Sequence, residues 1–306
     1  MKKIYYITAV FATLFLVGCG DGIDLPGVNV ETDLNKIPLP DNNVNLEQVE
    51  LKPSTEPMLH EGLHTEEDFQ RIRDKKAAGE EPWVSAYQLL VESQFSQKTA
   101  DTYPTEWIKR GISGDENYMN AARGATIVYQ QALRWKIEQD DEYAAKAVEN
   151  LNKWVQTCVG VTGNTNLSLA AGLYGYEFAI AGELLRDYGG WDRADFAAFQ
   201  NWLLKVFYPA NDDFLKRHHD TNALHYWANW CLCNIAAKMA IGIVTDRRDI
   251  YNEGIAHLQT GDTNGRLRRA IYHDYAPDYN FAQWQESGRD QGHTLMCVGL
   301  MGIICQ

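Results

Sequence analysis

Apolar residues recur at helical spacing through almost the whole chain beyond residue 60, and this restricts the fold more than any other feature of the sequence. Over residues 115–139 the positions Ala122, Ala125, Val128, Tyr129, Ala132, Leu133 and Trp135 fall on one side of a helix. Similar patterns predict helices over 142–155, 167–188, 194–207, 221–243, 249–258 and 288–304. The 167–188 segment is so rich in Ala, Gly and Leu that both of its sides are expected to be buried. Strict β alternation is absent, so the expected class is all-α. Short breaks between the helices predict antiparallel pairs. Such pairs either stack into a solenoid or close into an α/α toroid around a central cleft. No short repeat is evident, which disfavours the solenoid and leaves an incomplete toroid as the expected architecture.

The folded domain is expected to span 59–306. Thr65 is placed to cap its first helix, with Asp68 three residues on, Gly79 closing that helix and Pro82 opening the next. Residues 19–58 hold Pro26, Pro38, Pro40, Pro53 and Pro57 without periodicity and read as a tether. Before them, Met1-Lys2-Lys3 and a short apolar run read as a secretory signal over 1–18, too short to span a membrane. It ends in Leu16-Val17-Gly18-Cys19, which resembles the bacterial lipobox. That resemblance implies lipidation of Cys19 and a membrane-anchored protein of the bacterial cell envelope. The last residues, Ile304-Cys305-Gln306, fall inside an apolar helix with no closing turn, so the final helices of a ring are expected to be missing.

A net charge of −13 over 306 residues argues against nucleic acid as a partner. Sixteen Tyr and nine Trp are many for this length and suit a cleft lined with aromatic faces, although most are expected to be packing residues. Apart from Cys19, the five cysteines show no framework spacing and read as buried thiols.

Two polar segments interrupt the apolar pattern. In a helix opening after His218-His219-Asp220, Asn222, His225 and Asn229 would share a face, with Tyr226 beside them. Farther on, the 285–293 run crowds Gln285, Glu286, Arg289, Asp290 and His293 between apolar flanks that include Phe281 and Trp284. Arg289 and His293 are spaced to share a helix face. Gly288 and Gly292 weaken a helix there and suggest that a ligand or another backbone comes close. Such groups are costly to desolvate unless they are paired or used. The four histidines of these segments match no familiar zinc spacing, so neither metal nor cofactor is expected.

The segments His218-His219-Asp220-Thr221-Asn222-Ala223-Leu224-His225-Tyr226-Trp227-Ala228-Asn229-Trp230 and Gln283-Trp284-Gln285-Glu286-Ser287-Gly288-Arg289-Asp290-Gln291-Gly292-His293 resemble the signature blocks of bacterial alginate-lyase-like polysaccharide lyases. They are similar in particular to the group holding the alginate and glucuronan lyases of polysaccharide lyase family 38. The resemblance runs from about residue 60 to the end. It implies β-elimination on a uronic-acid polymer without a metal. Asn222 and Arg289 would neutralise the C5 carboxylate, and His225 and His293 would move protons. His219, Tyr226, Asn229, Trp284, Gln285 and Glu286 would bind substrate. Related lyases carry Asn directly beside His, whereas here Ala223 and Leu224 intervene. They also place a tyrosine two turns after the arginine, where this chain has Leu295 and Met296. Tyr226, Tyr272, Tyr275 and Tyr279 are therefore candidates for that role, with His293 as a substitute. Two alternatives remain open: a surface lipoprotein that binds glycans without cleaving them, and an α/α-barrel glycoside hydrolase using Glu286 with Asp290 or Glu177. The oligomeric state is not indicated.

Overall fold

The computed structural model describes residues 55–60, 62–275 and 282–306. The signal, Cys19 and nearly all of the tether lie outside the described residues, as do Tyr279 and Phe281. The described residues are mostly helical, and the fold is all-α.

Helix α1 (Glu66–Ala77) opens on the expected cap. Thr65 Oγ1 accepts the Asp68 N–H, and the Asp68 carboxylate accepts the Thr65 N–H. Helix α2 (Trp83–Glu92) follows Pro82. Helices α3 (Tyr118–Glu138) and α4 (Asp141–Thr157) form a hairpin through left-handed Gln139 and through Asp140, whose side chain accepts the Glu142 N–H. Next come α5 (Leu167–Leu184), α6 (Arg193–Val206), α7 (Tyr208–Arg217), α8 (Ala228–Val244) and α9 (Arg248–Thr260). The short α10 (Leu267–Ala270) and α11 (Gln291–Cys305) complete the helices. Two strand pairs went unread in the sequence: β1 (Trp107–Arg110) lies parallel to β2 (Gly160–Gly163), and β3 (Ile271–Asp274) antiparallel to β4 (Ala282–Trp284). None exceeds four residues, too few for alternation to register.

Three boundaries differ in ways that matter for the site. Helix α7 was not expected. The helix expected from 221 begins only at Ala228, and the one expected from 288 begins at Gln291.

The core is organised around α5, which packs on α3 and on α8; α8 in turn packs on α9 and α11. Helix α5 is buried on nearly every side, as its composition predicts. Helices α5 and α8 run in the same direction. Gly172 faces Cys233 near one end, while Arg186, just past α5, donates to the Val244 carbonyl at the other. A Cβ at Gly172 would lie 2.5 Å from the Cys233 sulfur, so the two helices approach closely because residue 172 has no side chain. Around this seam pack Trp154, Phe178, Trp202 and Phe207, ring against ring. Four of the five cysteines in the described domain are buried and unpaired, as expected; Cys305 is exposed.

Candidate functional site

The first polar segment begins where α7 stops. His218, His219 and Asp220 all have positive φ (50°, 52° and 58°), a left-handed turn made without glycine. Each such residue costs roughly 1–2 kcal/mol. The surroundings hold the turn in place. Arg217 pairs with the Asp220 carboxylate at 2.6 Å, and the Thr221 hydroxyl donates to the His218 carbonyl at 2.6 Å. His219 Nε2 meets the Ser168 hydroxyl at 3.0 Å, and the Phe214 ring packs on both imidazoles. Burial keeps the His218 imidazole below its ordinary pKa.

This turn overturns the expected helical stripe. Residues 221–227 form turns, so Asn222 and His225 do not share a helix face with Asn229. The Asn222 carbonyl oxygen of the side chain accepts the Leu224 N–H at 2.8 Å, a local bond that competes with helix formation. Asn222 and His225 end up exposed, while Tyr226 is buried between Phe214, His219 and Trp230. Asn229, in the first turn of α8, is buried, and its Oδ1 has no hydrogen-bond partner.

The second segment leaves β4 through Gln285, which is a joint between the two segments rather than an exposed ligand contact. It is buried. Its Oε1 accepts the Ala228 N–H at 3.0 Å, at the start of α8, and its Nε2 donates to Asn264 Oδ1 at 3.1 Å and the Arg269 carbonyl at 2.8 Å. Asn264 in turn donates to the carbonyls of Leu224 and Tyr226. These bonds tie the 221–228 loop to the 285–293 run.

Glu286 is left-handed (φ 65°) and its side chain is almost fully buried; Oε1 accepts from Arg289 Nη1 at 2.7 Å while Oε2 has no partner. Arg289 is half exposed and lies in the turn before α11, which corrects the expected shared face with His293. The reason is Asp290. Its carboxylate caps α11 by accepting the His293 N–H at 2.8 Å, which starts the helix one residue after Asp290. The other oxygen of Asp290 meets His293 Nδ1 at 2.6 Å. The His293 N–H, with the neighbouring imidazole and Arg289, holds the Asp290 carboxyl below its usual range. Ser287, Gly288, Arg289, Asp290, Gln291 and Thr294 line an open concavity of about 420 Å³. A Cβ at Gly288 would meet nothing within 4 Å, so no close backbone neighbour explains that glycine. Trp284 is half-buried with its indole N–H unpartnered.

The structure therefore joins the two segments through Gln285. Among the described residues no hydrogen bond or ion pair links the side chains of Asn222 or His225 to Arg289 or His293. Of the tyrosine candidates, Tyr226 is buried, Tyr272 is exposed, and the Tyr275 hydroxyl donates to Gln283 at 3.1 Å. Among the described residues no group of three or more His, Cys, Asp and Glu is placed to hold a metal ion.

Sequence reasoning missed His64 and Tyr129, which form a deeper group with Glu177, a residue it named only as a partner carboxylate for a hydrolase. His64 Nε2 meets the Tyr129 hydroxyl at 2.5 Å, with the two rings stacked. Burial lowers the His64 pKa to about 4 and pushes the Tyr129 phenol up. Close by, burial raises the Glu177 carboxyl to about 8. Its Oε2 is enclosed without a partner, although solvent still reaches part of the side chain. Nothing in the sequence of an all-buried helix such as α5 signals this depth.

Compared with known families, residues 72–270 match the model of a family described as alginate lyase, more than half of the chain. The match takes in the 218–229 segment and stops before the 285–293 run. A comparison with curated proteins finds no match.

Proposed function

The chain belongs to the alginate lyase family, and from that premise we propose that it cleaves a uronic-acid polymer, alginate or glucuronan, by β-elimination. The observation that supports this assignment is the Gln285 joint, which ties the backbone of the loop carrying Asn222 and His225 to the run that carries half-exposed Arg289 at an open concavity.

The C5 proton of a uronate is weakly acidic until the charge of its carboxylate is offset. Arg289, with Asn222, is suited to bind that carboxylate and to stabilise the charge that develops on it. His293 is suited to act as base. Asp290 engages its Nδ1 and so leaves Nε2 to accept a proton. As the C5 proton leaves, its electron pair forms the C4–C5 double bond and the C4–O4 bond breaks. His225, exposed on the 221–228 loop, is suited to protonate the departing oxygen. No water is consumed.

Parallel α5 and α8, with α3 packed on α5, support an α/α toroid whose inner helices are these three. The lipobox-like Leu16-Val17-Gly18-Cys19 supports a lipid anchor at Cys19 in the bacterial cell envelope. The test is a screen of the full-length protein against polyuronides. A lyase produces an unsaturated uronate that absorbs in the near ultraviolet. Reducing ends without that chromophore would instead mean hydrolysis, and retention of polymer with neither product would mean a binding protein.

A further inference from the structure

We propose that Arg110 forms a second carboxylate-binding site, holding a uronate unit of the polymer other than the one being cleaved; this rests on the lyase assignment above. Arg110 closes strand β1, in register with Gly163 at the end of β2. Its guanidinium lies 4.7 Å from the centre of the Tyr118 ring, and its Nη1 is enclosed without a hydrogen-bond partner. The nearby acids do not neutralise it. Glu116 accepts the Gly111 N–H at 2.5 Å, and Asp115 pairs with Lys109 at 2.7 Å.

An enclosed guanidinium nitrogen without an acceptor is costly, and a carboxylate matches its fork of donors in two parallel hydrogen bonds. In a chain of net charge −13, a cation left without a carboxylate partner among the described residues is one that an anionic ligand can use.

The placement favours a long acidic ligand reaching the site already described. Burial pushes up the Tyr174 phenol on α5 and the Cys233 thiol on α8, and the charge of Arg110 opposes both shifts. The guanidinium therefore sits near the α5–α8 seam. The same seam holds Ser168, whose hydroxyl meets His219 and whose carbonyl accepts from Asn234 at 3.2 Å. Beside Arg110, a Cβ at Gly111 would lie 1.9 Å from Asn164 Oδ1, so only glycine lets that asparagine fold over the strand end. Asn164 Oδ1 takes both the backbone and the side-chain N–H of Asn166, each at 2.9 Å, which fixes a polar rim at the entry to α5.

The test compares the full-length protein with Arg110→Ala, Arg110→Gln and Arg110→Lys. Steady-state kinetics on a polyuronide should show KM raised about tenfold or more in the alanine and glutamine variants, with kcat within about twofold. The lysine variant, which keeps the charge but loses the fork, should fall between them and the unmodified protein. Arg110→Gln retains a polar group over Tyr118 and decides the matter if Arg110→Ala lowers the melting temperature. Unchanged KM in Arg110→Gln overturns the proposal. Affinity electrophoresis through polyuronide or neutral glucan judges Arg110 without turnover. Retardation of the unmodified protein by the polyuronide alone, weakened in Arg110→Gln, supports the site even if no substrate is cleaved. Equal retardation of the two overturns it. Absence of near-ultraviolet product from the unmodified protein on every polyuronide sinks the lyase assignment alone.

Discussion

The C-terminal half of α8 and the approach to its N-terminus solve the problem of buried polar groups in opposite ways. In the C-terminal half Lys238 is fully buried, yet it lies 2.7 Å from Asp212 on α7 and 2.6 Å from Glu253 on α9. Nearby, Arg186 pairs with Glu183 at 2.9 Å and donates to the Val244 carbonyl at 2.8 Å, while His60 Nδ1 meets Glu183 at 3.1 Å. Charges there are matched across elements, which fixes how the helices sit. At the N-terminal approach, Asn229 Oδ1 and Glu286 Oε2 are enclosed and unpartnered, three residues in a row are left-handed, and Asn222 and His225 face solvent. Matched charges make scaffold; unmatched polar atoms in a strained turn mark where a ligand can complete the structure.

The largest effect that tests this contrast is on turnover. Arg289→Ala should lower kcat/KM on a polyuronide about a thousandfold, roughly 4 kcal/mol of lost transition-state stabilisation, with melting temperature and circular dichroism unchanged. Retained activity would remove Arg289 from the chemistry. The scaffold end should respond in stability instead. Lys238→Ala leaves two carboxylates facing each other, and because both are partly solvated the expected loss is about 2–3 kcal/mol in urea denaturation. Lost turnover in Lys238→Ala without lost stability would erase the distinction between the two regions.

The Gln285 joint is expected to show both behaviours at lower amplitude. Gln285→Ala strips the acceptor from the Ala228 N–H and the donor from Asn264 and the Arg269 carbonyl. It should cost about 1–2 kcal/mol of stability. It should also raise KM, because the loop bearing Asn222 and His225 loses its anchor. An unchanged KM would mean that this loop is positioned without Gln285.

How much of this was legible in the sequence follows from where each bond partner lies. The helices were readable because their apolar period is local, and the Thr65 cap because Asp68 is only three residues away. The start of α8 was not readable. The pattern over 221–227 continues the helical period, but Asn222 bonds its own loop, and the acceptor of the Ala228 N–H comes from Gln285. The polar character of the 285–293 run was legible, and so was Asp290 as a cap in principle; the apparent i, i+4 pairing of Arg289 with His293 hid it. Arg110 gave no signal because its significance is a missing partner, which only a three-dimensional neighbourhood reveals.

The smallest effect concerns Glu177, which belongs to neither pattern, being neither paired like Lys238 nor strained like His219. Burial raises its carboxyl to about 8, against an ordinary 4.5. The folded state therefore binds a proton that the unfolded state has released, and its stabilising contribution is lost as pH rises through that value. The buried imidazoles of His64 and His257, both lowered to about 4, act in the opposite sense but at lower pH. Above about pH 7 they are mostly neutral in folded and unfolded chains alike. The thiols of Cys158, Cys231, Cys233, Cys297 and Cys305, all raised by burial, add a fall of the same sign that the Glu177→Gln variant shares, so the difference between the two proteins belongs to Glu177. Urea midpoints should fall between pH 7 and 8.5, and Glu177→Gln, which cannot ionise, should flatten that fall. A parallel decline in both proteins would show that the Glu177 carboxyl is already ionised at pH 7, and that solvent reaches deeper along α5 than the enclosed Oε2 implies.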